Sequence, residues 1–317
     1  MDVSTKRQRW STALVPASNL RLRQSLPYRA VSKAVAITRN LRRHVQLSQV
    51  LGGLGLLNQH DFYAGIRYRY LRKYYLGNCF SISQRVAAAI NHHQSIDRHF
   101  RPHFLRTARQ GGHGVWSTTV QDTRFDITLR YPYHYNHDGD LSLSFDVNGT
   151  NVCIVTFSIV PGALAGLSET HVLLVAGIQG IAGRIGLIRQ ATELCNNVSP
   201  AHMLLFAAQT LGQQMGIKTM VGLGQGRADS APDTAQQASF DYDAFWMHLV
   251  GLEQRSDFYP IALPLTDKPI ESIPAKHRGR ARKRRELRNL IRHEIETSTQ
   301  AKLEKDCLIE NENYTLA

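Results

Sequence analysis

The sequence is short of acidic residues and of cysteine, has no long apolar run, and carries none of the short signatures of hydrolytic or nucleotide chemistry. Cys79, Cys153, Cys195 and Cys307 are far apart and form no C-x-x-C pair. That spread excludes a compact disulfide framework and a zinc site, and fits reduced thiols in a cytoplasmic setting. No stretch approaches the ~20 apolar residues of a membrane span. The best candidate, Val172 to Ile188, contains Gln179 and Arg184 and is broken by four glycines. The N-terminus, Met1-Asp-Val-Ser-Thr-Lys6, lacks the apolar core of a secretion signal. The expectation is a cytoplasmic protein that reaches the inner membrane only peripherally. Without G-x-S-x-G, H-E-x-x-H or a Walker loop, hydrolase and nucleotide-hydrolysing readings have no footing. His92, His93, His99, His103 and His113 are numerous, but Pro102 separates His99 from His103 and no carboxylate motif accompanies them, so no metal site is expected.

What the chain does have is positive charge. Lys plus Arg number 38 against 25 Asp plus Glu, a net +13, while 43% hydrophobic and 20% charged residues describe an ordinary globular protein. Such an excess favours anionic partners: nucleic acid, anionic lipid or phosphate-bearing substrates. The charge marks three regions. Residues 1–49 form a basic N-terminal segment with ten cations and one acid. From Tyr28 to Leu47 its apolar positions Val31, Val35, Ile37, Leu41 and Val45 predict an amphipathic helix with a basic face, either solvated or offered to a membrane surface or partner. Residues 50–275 form the main domain, and residues 276–317 a basic helix and tail. Between Lys276 and Arg292 lie nine cations and one acid, with Leu287, Leu290, Ile291 and Ile295 as an apolar stripe and a polar end fraying from Thr297. No zinc finger, helix-turn-helix or RNA-binding signature supports a nucleic-acid reading.

The main domain is organised around residues 171–226. His171-Val-Leu-Leu-Val-Ala-Gly177 has the length of a buried strand. The loop Gly180-Ile-Ala-Gly183-Arg-Ile-Gly186 follows, then a helical turn or two over Leu187–Leu194. Ser199-Pro200 is a helix start, the helix runs to Met215, and Gly216 stops it. Lys218–Gly224 is a second strand, parallel to the first by the crossover rule. Before this unit, Val50–Leu57 reads as a flexible apolar connector. Asp61–Tyr75 interleaves tyrosines with cations, and its spacing predicts a helix with Phe62, Ile66, Tyr70 and Tyr74 inward and the cations snorkelling outward. Ser83–Gln94 reads as a further helix with Val86, Ala87 and Ile90 inward. Period-two patterning over Val115–Val120, Arg124–Tyr131, Leu141–Val147 and Asn151–Ile159 predicts a four-strand meander, with turns at Asp122, His137-Asp-Gly-Asp140 and Asn148-Gly149, and with His134 and His137 on the surface. After the unit come a polar loop over Gly226–Ser239, a capped helix over Asp241–Gly251 with Phe245, Trp246 and Leu249 near one face, and an edge strand over Phe258–Pro264.

The expected fold class is α+β: a mixed sheet in which an antiparallel meander is followed by β-α-β-α-β, with a helical basic N-terminal region. This order resembles the second half of the acetyltransferase (GNAT-type) fold, in which a loop after the central strand offers backbone N–H groups to the pyrophosphate of acyl-coenzyme A. The resemblance implies Gly180, Gly183, Arg184, Gly186 and Arg189 as candidate cofactor contacts, and His171, Tyr242 and Asp243 as candidate catalytic groups. The plainer roles are a tight turn for the glycines, core packing for Tyr242 and Trp246, and a buried ion pair of Arg189 with Glu193 or Asp243.

A second resemblance rests on Gly183-Arg-Ile-Gly-Leu-Ile-Arg-Gln-Ala-Thr192, on Ser199-Pro200 with the helix Leu204–Gly216, on Tyr242-Asp-Ala-Phe-Trp246 and on Lys276-His277-Arg278. Together these resemble the VirK/YbjX family of enterobacterial proteins over roughly residues 60 to 290. After Arg278 the chain reads Gly-Arg-Ala-Arg-Lys-Arg, where the family tends to carry Ser and Tyr among the basic residues. The resemblance implies a virulence-associated factor that supports the Gram-negative cell envelope, through display of a surface protein or resistance to cationic antimicrobial peptides. It lends no catalytic residues. Its implied partners are an anionic membrane surface or an envelope protein, and the competing expectation is an acyl-coenzyme A-dependent transferase acting on an envelope component.

Overall fold

A computed structural model describes residues 26–57, 65–100, 108, 111–131, 138–228, 240–251 and 255–303. Trp10, Phe62, His103, His134, His137 and Cys307 lie outside the described residues. The chain divides into two compact units, Met1–Leu41 and Arg42–Ala317. In the first, α1 spans Leu26–Arg39 and leaves Val31 and Val35 exposed one turn apart. The single helix read over Tyr28–Leu47 is instead two. The Asn40 side chain bonds Ala36 O, its backbone N–H turns back to Ile37 O, and a new helix begins at Leu41.

That helix, α2 (Leu41–Gly53), corrects the connector reading. It buries His44, Leu47 and Leu51, and Leu56 just beyond it is fully buried. The segment after it is also not the helix its spacing predicts. Among its described residues, 65–75, only Ile66–Leu71 is helical, as a 3-10 turn, and Arg69 is buried beside Tyr70 rather than snorkelling outward. A 3-10 turn places i and i+3 over one another, so Ile66 and Arg69 share the inward face. Next, α3 (Ile82–His99) starts at a capping box in which Ser81 and Gln84 satisfy each other's backbone N–H groups. It runs five residues past its expected end.

The sheet has seven strands in sequence order: β1 (His113–Val120), β2 (Thr123–Arg130), β3 (Leu141–Val147), β4 (Thr150–Val160), β5 (Val172–Gly180), β6 (Thr219–Leu223) and β7 (Phe258–Ala262). The meander is as expected, and its tight turns at Gln121-Asp122 and Asn148-Gly149 take the positive φ angles that match strand twist. Between β5 and β6 run α4 (Ile185–Leu194) and α5 (Pro200–Gln214), and β5 and β6 are the parallel pair of an otherwise antiparallel sheet. Ser199 caps α5 by accepting from the His202 N–H. The loop expected from Gly226 opens with a helical turn, α6 (Gln225–Ala228), and residues 229–239 lie outside the described residues.

Two further helices close the unit. In α7 (Tyr242–Val250) Asp241 is the N-cap and Gly251 the left-handed stop. Trp246 is fully buried, lies on Gly222 of β6 and donates its indole N–H to Leu223 O at 2.9 Å. A Cβ at Gly222 would come within 2.3 Å of the indole, so glycine is required for this approach. The long α8 (Ala275–Leu303) packs on α5 and β1 through Leu287, Ile291, Ile295 and Thr299. Leu290, read as part of that stripe, is 58% exposed. It sits 100° from Ile291 on a 3.6-residue helix, away from the packed face. Nor does the helix fray at Thr297: it continues to Leu303, because Thr299 is buried and its hydroxyl reaches Gln214 of α5.

The α7–β6 contact predicts that Trp246→Ala lowers stability by about 3–5 kcal/mol, the usual cost of emptying a buried aromatic site. Urea unfolding followed by circular dichroism measures it; a loss below 1 kcal/mol would show that α7 is not part of the cooperative core.

Candidate functional site

The glycine-spaced segment is part strand and part helix start. β5 continues to Gly180, and the Ile181 N–H still bonds Val152 O across the ladder. Gly183 takes a left-handed φ of 75° and α4 begins at Ile185, with Arg184 as an N-cap that supplies no side-chain bond. The first N–H groups of α4 therefore lack a side-chain acceptor, at the positive end of a ten-residue helix. Arg184, Gly186 and Arg189 are all exposed. The ion pair read for Arg189 is thus not a buried one. Gly180 brings strand and helix together, since a Cβ there would meet Ile188 Cδ1 at 3.3 Å.

Tyr242 lies at the same end of β5. The β5–β6 ladder covers only Leu173–Val175, paired with Met220–Gly222. Beyond it, Ile181 faces β4, so the alternation of an antiparallel ladder turns the backbone of Ile178 to the side that β6 has left. The Tyr242 hydroxyl fills that place: it accepts from Ile178 N–H at 3.0 Å and donates to Ile178 O at 3.1 Å. Burial raises its pKa to about 12, so it is a neutral phenol.

The other two candidates are elsewhere. Asp243 accepts from Gln225 N–H at 3.0 Å and Tyr259 O–H at 3.1 Å, with Arg255 at 3.7 Å, which ties α7 to the β6 end and to β7. His171 precedes the opposite end of β5, nine residues or about 30 Å of extended chain from Gly180. It neighbours Arg98 and His99, its Nδ1 is buried without a partner, and burial foremost lowers its pKa. Tyr242 and the 180–186 loop are brought together; His171 does not join them.

Sequence reasoning missed a second constellation, on the inner side of α3. Asp140 is buried and accepts from Tyr75 O–H at 2.6 Å and Ser158 O–H at 2.7 Å. Arg69 donates to Gly139 O, and His92 Nδ1 accepts from Ile159 N–H at 3.1 Å while packing edge-on to His93. Burial opposes ionisation of Asp140, but His92, His93 and Arg69 with the Tyr75 hydrogen bond outweigh it and hold the carboxyl below its ordinary value. Burial pushes His92 down to about 4 and His93 to about 3, so both are neutral. Asp138-Gly-Asp140 between two strands looks like any turn. What sets it apart is packing: a Cβ at Gly139 would strike the Phe157 backbone at 2.6 Å. Among the described residues no group of three His, Cys, Asp or Glu could hold a metal ion, and no helix is long and apolar enough to cross a membrane.

This pairing of a Tyr-Asp-Ala-Phe-Trp helix with the β5–α4 turn is where the comparison with known proteins bears. A model of a family of unknown function, DUF535, matches residues 35–297. The chain belongs to the DUF535 family. Among its relatives, an uncharacterized protein of Haemophilus influenzae is 24% identical over 255 residues, covering 77% of this chain and 82% of its own. The uncharacterized protein YbjX of Escherichia coli is 22% identical over 181 residues, covering 55% and 53%. The likeness to the VirK/YbjX group therefore holds, and the DUF535 match takes in β1 to β7 and most of α8. No solved structure matches the chain significantly.

The buried histidines carry a pH prediction. In the unfolded chain they protonate near 6.5, whereas in the folded protein they resist protonation down to about 4 and 3. Below pH 6.5 the unfolded state binds more protons, so stability falls with pH, by up to about 1.4 kcal/mol per unit for each histidine. Denaturant midpoints at pH 7.5, 6.0 and 5.0 should drop progressively, and His93→Leu should make the decline shallower. Midpoints that stay level down to pH 5 would contradict this.

Proposed function

We propose that the protein is a non-enzymatic factor of the bacterial envelope that docks peripherally on an anionic membrane surface, and from there supports envelope integrity, surface display or resistance to cationic peptides. The observation that carries this reading is the charge of α8's first three turns. Lys276, Arg280, Arg282 and Lys283 are exposed, and among the described residues no carboxylate lies within ion-pair distance of them. Arg278 and Arg284 bond only backbone carbonyls, those of Glu271, Ile273, Asn196 and Asn197. Asp267 takes up Arg285 and Arg288, further along the helix.

The arrangement is unfavourable in isolation. The first turn has no acid, so the cations sit at the positive end of the helix dipole, and Lys276–Arg280 and Arg280–Arg284 are like-charge pairs one turn apart. A negatively charged surface relieves both costs. Each Lys or Arg near such a surface contributes about 1 kcal/mol. Replacing Lys276, Arg280, Arg282 and Lys283 by Glu should then reduce partition onto phosphatidylglycerol vesicles by roughly three orders of magnitude. Partition should also weaken with salt and be negligible on phosphatidylcholine. Equal co-sedimentation of wild type and variant would rule the reading out.

The acyltransferase reading draws support from one feature, the uncapped N–H groups of α4 beside Arg184. It requires a ligand at the β5–β6 opening to compete with the Tyr242 hydroxyl. At 100 times its dissociation constant, coenzyme A or an acyl thioester would add about 2.7 kcal/mol of stability, visible as a raised melting temperature that Arg184→Ala loses. With Tyr242 in place we expect no shift, and a shift lost in the variant would reverse the order of the two readings.

A further inference from the structure

The two edges of the sheet are protected differently. An open edge offers unpaired backbone groups to any extended chain, and proteins blunt such edges with Pro, Lys or a covering element. β7 carries Pro260, which has no N–H to give to a further strand. β1 reads His-Gly-Val-Trp-Ser-Thr-Thr-Val, without Pro, Lys or Arg and rich in strand-forming residues. Its outward groups follow from the hairpin. Gln121 and Asp122 both take positive φ, so Val120 and Thr123 are the hydrogen-bonded pair that closes the turn. Alternation then turns the N–H and C=O of Thr119 and of Ser117 away from β2. The bulge between Gly114 and Trp116 ends this regular stretch.

One outward group is already engaged. The Ser117 N–H donates to Glu294 Oε2 of α8 at 3.3 Å. A helix carboxylate therefore stands where the C=O of an eighth strand would stand. The bond lies just beyond the usual N–H···O range, so a closer carbonyl can displace it. Between edge and helix the space is open. A cleft of about 500 Å³ has Gly114–Ser117 on one side and His293, Glu294, Thr297 and Ser298 on the other. A Cβ at Gly114 would meet nothing within 4 Å. The cleft lies roughly 16 Å along α8 from Lys283, apart from the cationic first turns.

We infer that this cleft binds an extended peptide segment, which adds to the β1 edge at Ser117 and Thr119 and places a Lys or Arg opposite Ser117. In strand addition the backbone bonds supply affinity and alternate side chains supply selectivity. Residues opposite one another in a ladder share a face. The register sets Ser117 opposite Asp126, so the peptide residue opposite Ser117 joins the face of Asp126. Asp126 and Glu294 line the cleft against Arg124, whose guanidinium holds Asp126 at 2.9 Å. That leaves an excess of negative charge, on a chain whose net charge is +13. Glu294, displaced from the Ser117 N–H, is then free to pair with the incoming cation. The flanking peptide residues turn to the other face, where Val120 is half-buried at the rim of the core and suits an apolar neighbour.

An NMR titration of the full-length protein with acetyl-(Val-Lys)3-amide tests the site, with the amides of Ser117 and Thr119 as reporters. Both amides are expected to shift. The same peptide N-methylated at its lysines loses the N–H groups that would face β1, and should bind at least tenfold more weakly. Acetyl-(Val-Glu)3-amide should also bind at least tenfold more weakly, and Glu294→Gln should narrow the gap between the Lys and Glu peptides. Thr119→Pro removes an outward donor and should abolish the shift at Ser117; the methylated peptide gives the same answer without altering the protein. The inference is overturned if neither amide shifts, or if the methylated or the Glu peptide binds as well as the Lys peptide. A dimer in sedimentation that Thr119→Pro dissociates would give the edge to a second copy of the chain and overturn it too.

Discussion

The backbone of β5 must be satisfied along both edges, and the means by which this is done fixes most of the second unit. β4 pairs with β5 over nearly its whole length, but β6 pairs with only three of its residues before the two diverge. A buried strand cannot leave N–H and C=O groups open on that side. Tyr242 closes the gap with one hydroxyl that both donates and accepts at Ile178. For this to work α7 must be held in register with the sheet, and two more side chains of the same helix do so. Trp246 lies on Gly222, and Asp243 bonds the start of α6 and the hydroxyl of Tyr259. Tyr-Asp-Ala-Phe-Trp is thus first of all the clamp that completes the sheet. The same clamp sits where an acyl-coenzyme A reading would put a thioester, so that reading asks a ligand to take over hydrogen bonds the protein already makes.

Local pattern carried much of this architecture. Alternation and Asn-Gly punctuation are enough to read the meander, and Ser199-Pro200 and Asp241 announce α5 and α7 because caps are properties of a few adjacent residues. Where local pattern and tertiary packing disagree, packing decides. Val50–Leu57 contains three glycines and reads as a hinge, yet Leu51 and Leu56 are core residues and the helix runs into the first two glycines. Arg69 reads as a solvated cation because nothing nearby in sequence is acidic. Its neighbour Asp140 lies seventy-one positions away and reads as a turn residue. Of the candidate site, Tyr242 and the 180–186 loop were legible as neighbours from topology. His171 was not separable from them, because a strand's length in residues does not say which end a ligand would use.

Buried polarity in this protein is matched only in part. Under α3, Asp140 accepts from Tyr75 and Ser158, Arg69 donates to Gly139 O, and His92 and His93 remain neutral beside them. Such a network favours one arrangement of α3 over the sheet, since any shift leaves a charge unpaired in low dielectric. Under the same helix His92 Nε2, His93 Nδ1 and Ser95 Oγ, and on the meander Ser144 Oγ and Thr156 Oγ1, are buried without a hydrogen-bond partner.

The long helix α8 divides its labour along its length. From Arg285 onward it is anchored by Leu287, Ile291 and Ile295, all buried, and by Arg285 and Arg288 at Asp267. Its first three turns have no buried apolar anchor, only the Arg278 and Arg284 bonds to backbone carbonyls, and they concentrate like charge where the helix dipole least favours it. A helix nucleated by packing at one end can extend through residues that would not form it alone, because each added residue needs only propagation and not a new nucleus. The packed part therefore lets the cationic turns stand as a helix, with their charges already spaced along it. On the proposed membrane reading, an anionic surface would meet a preorganised array, with little ordering entropy left to lose on contact.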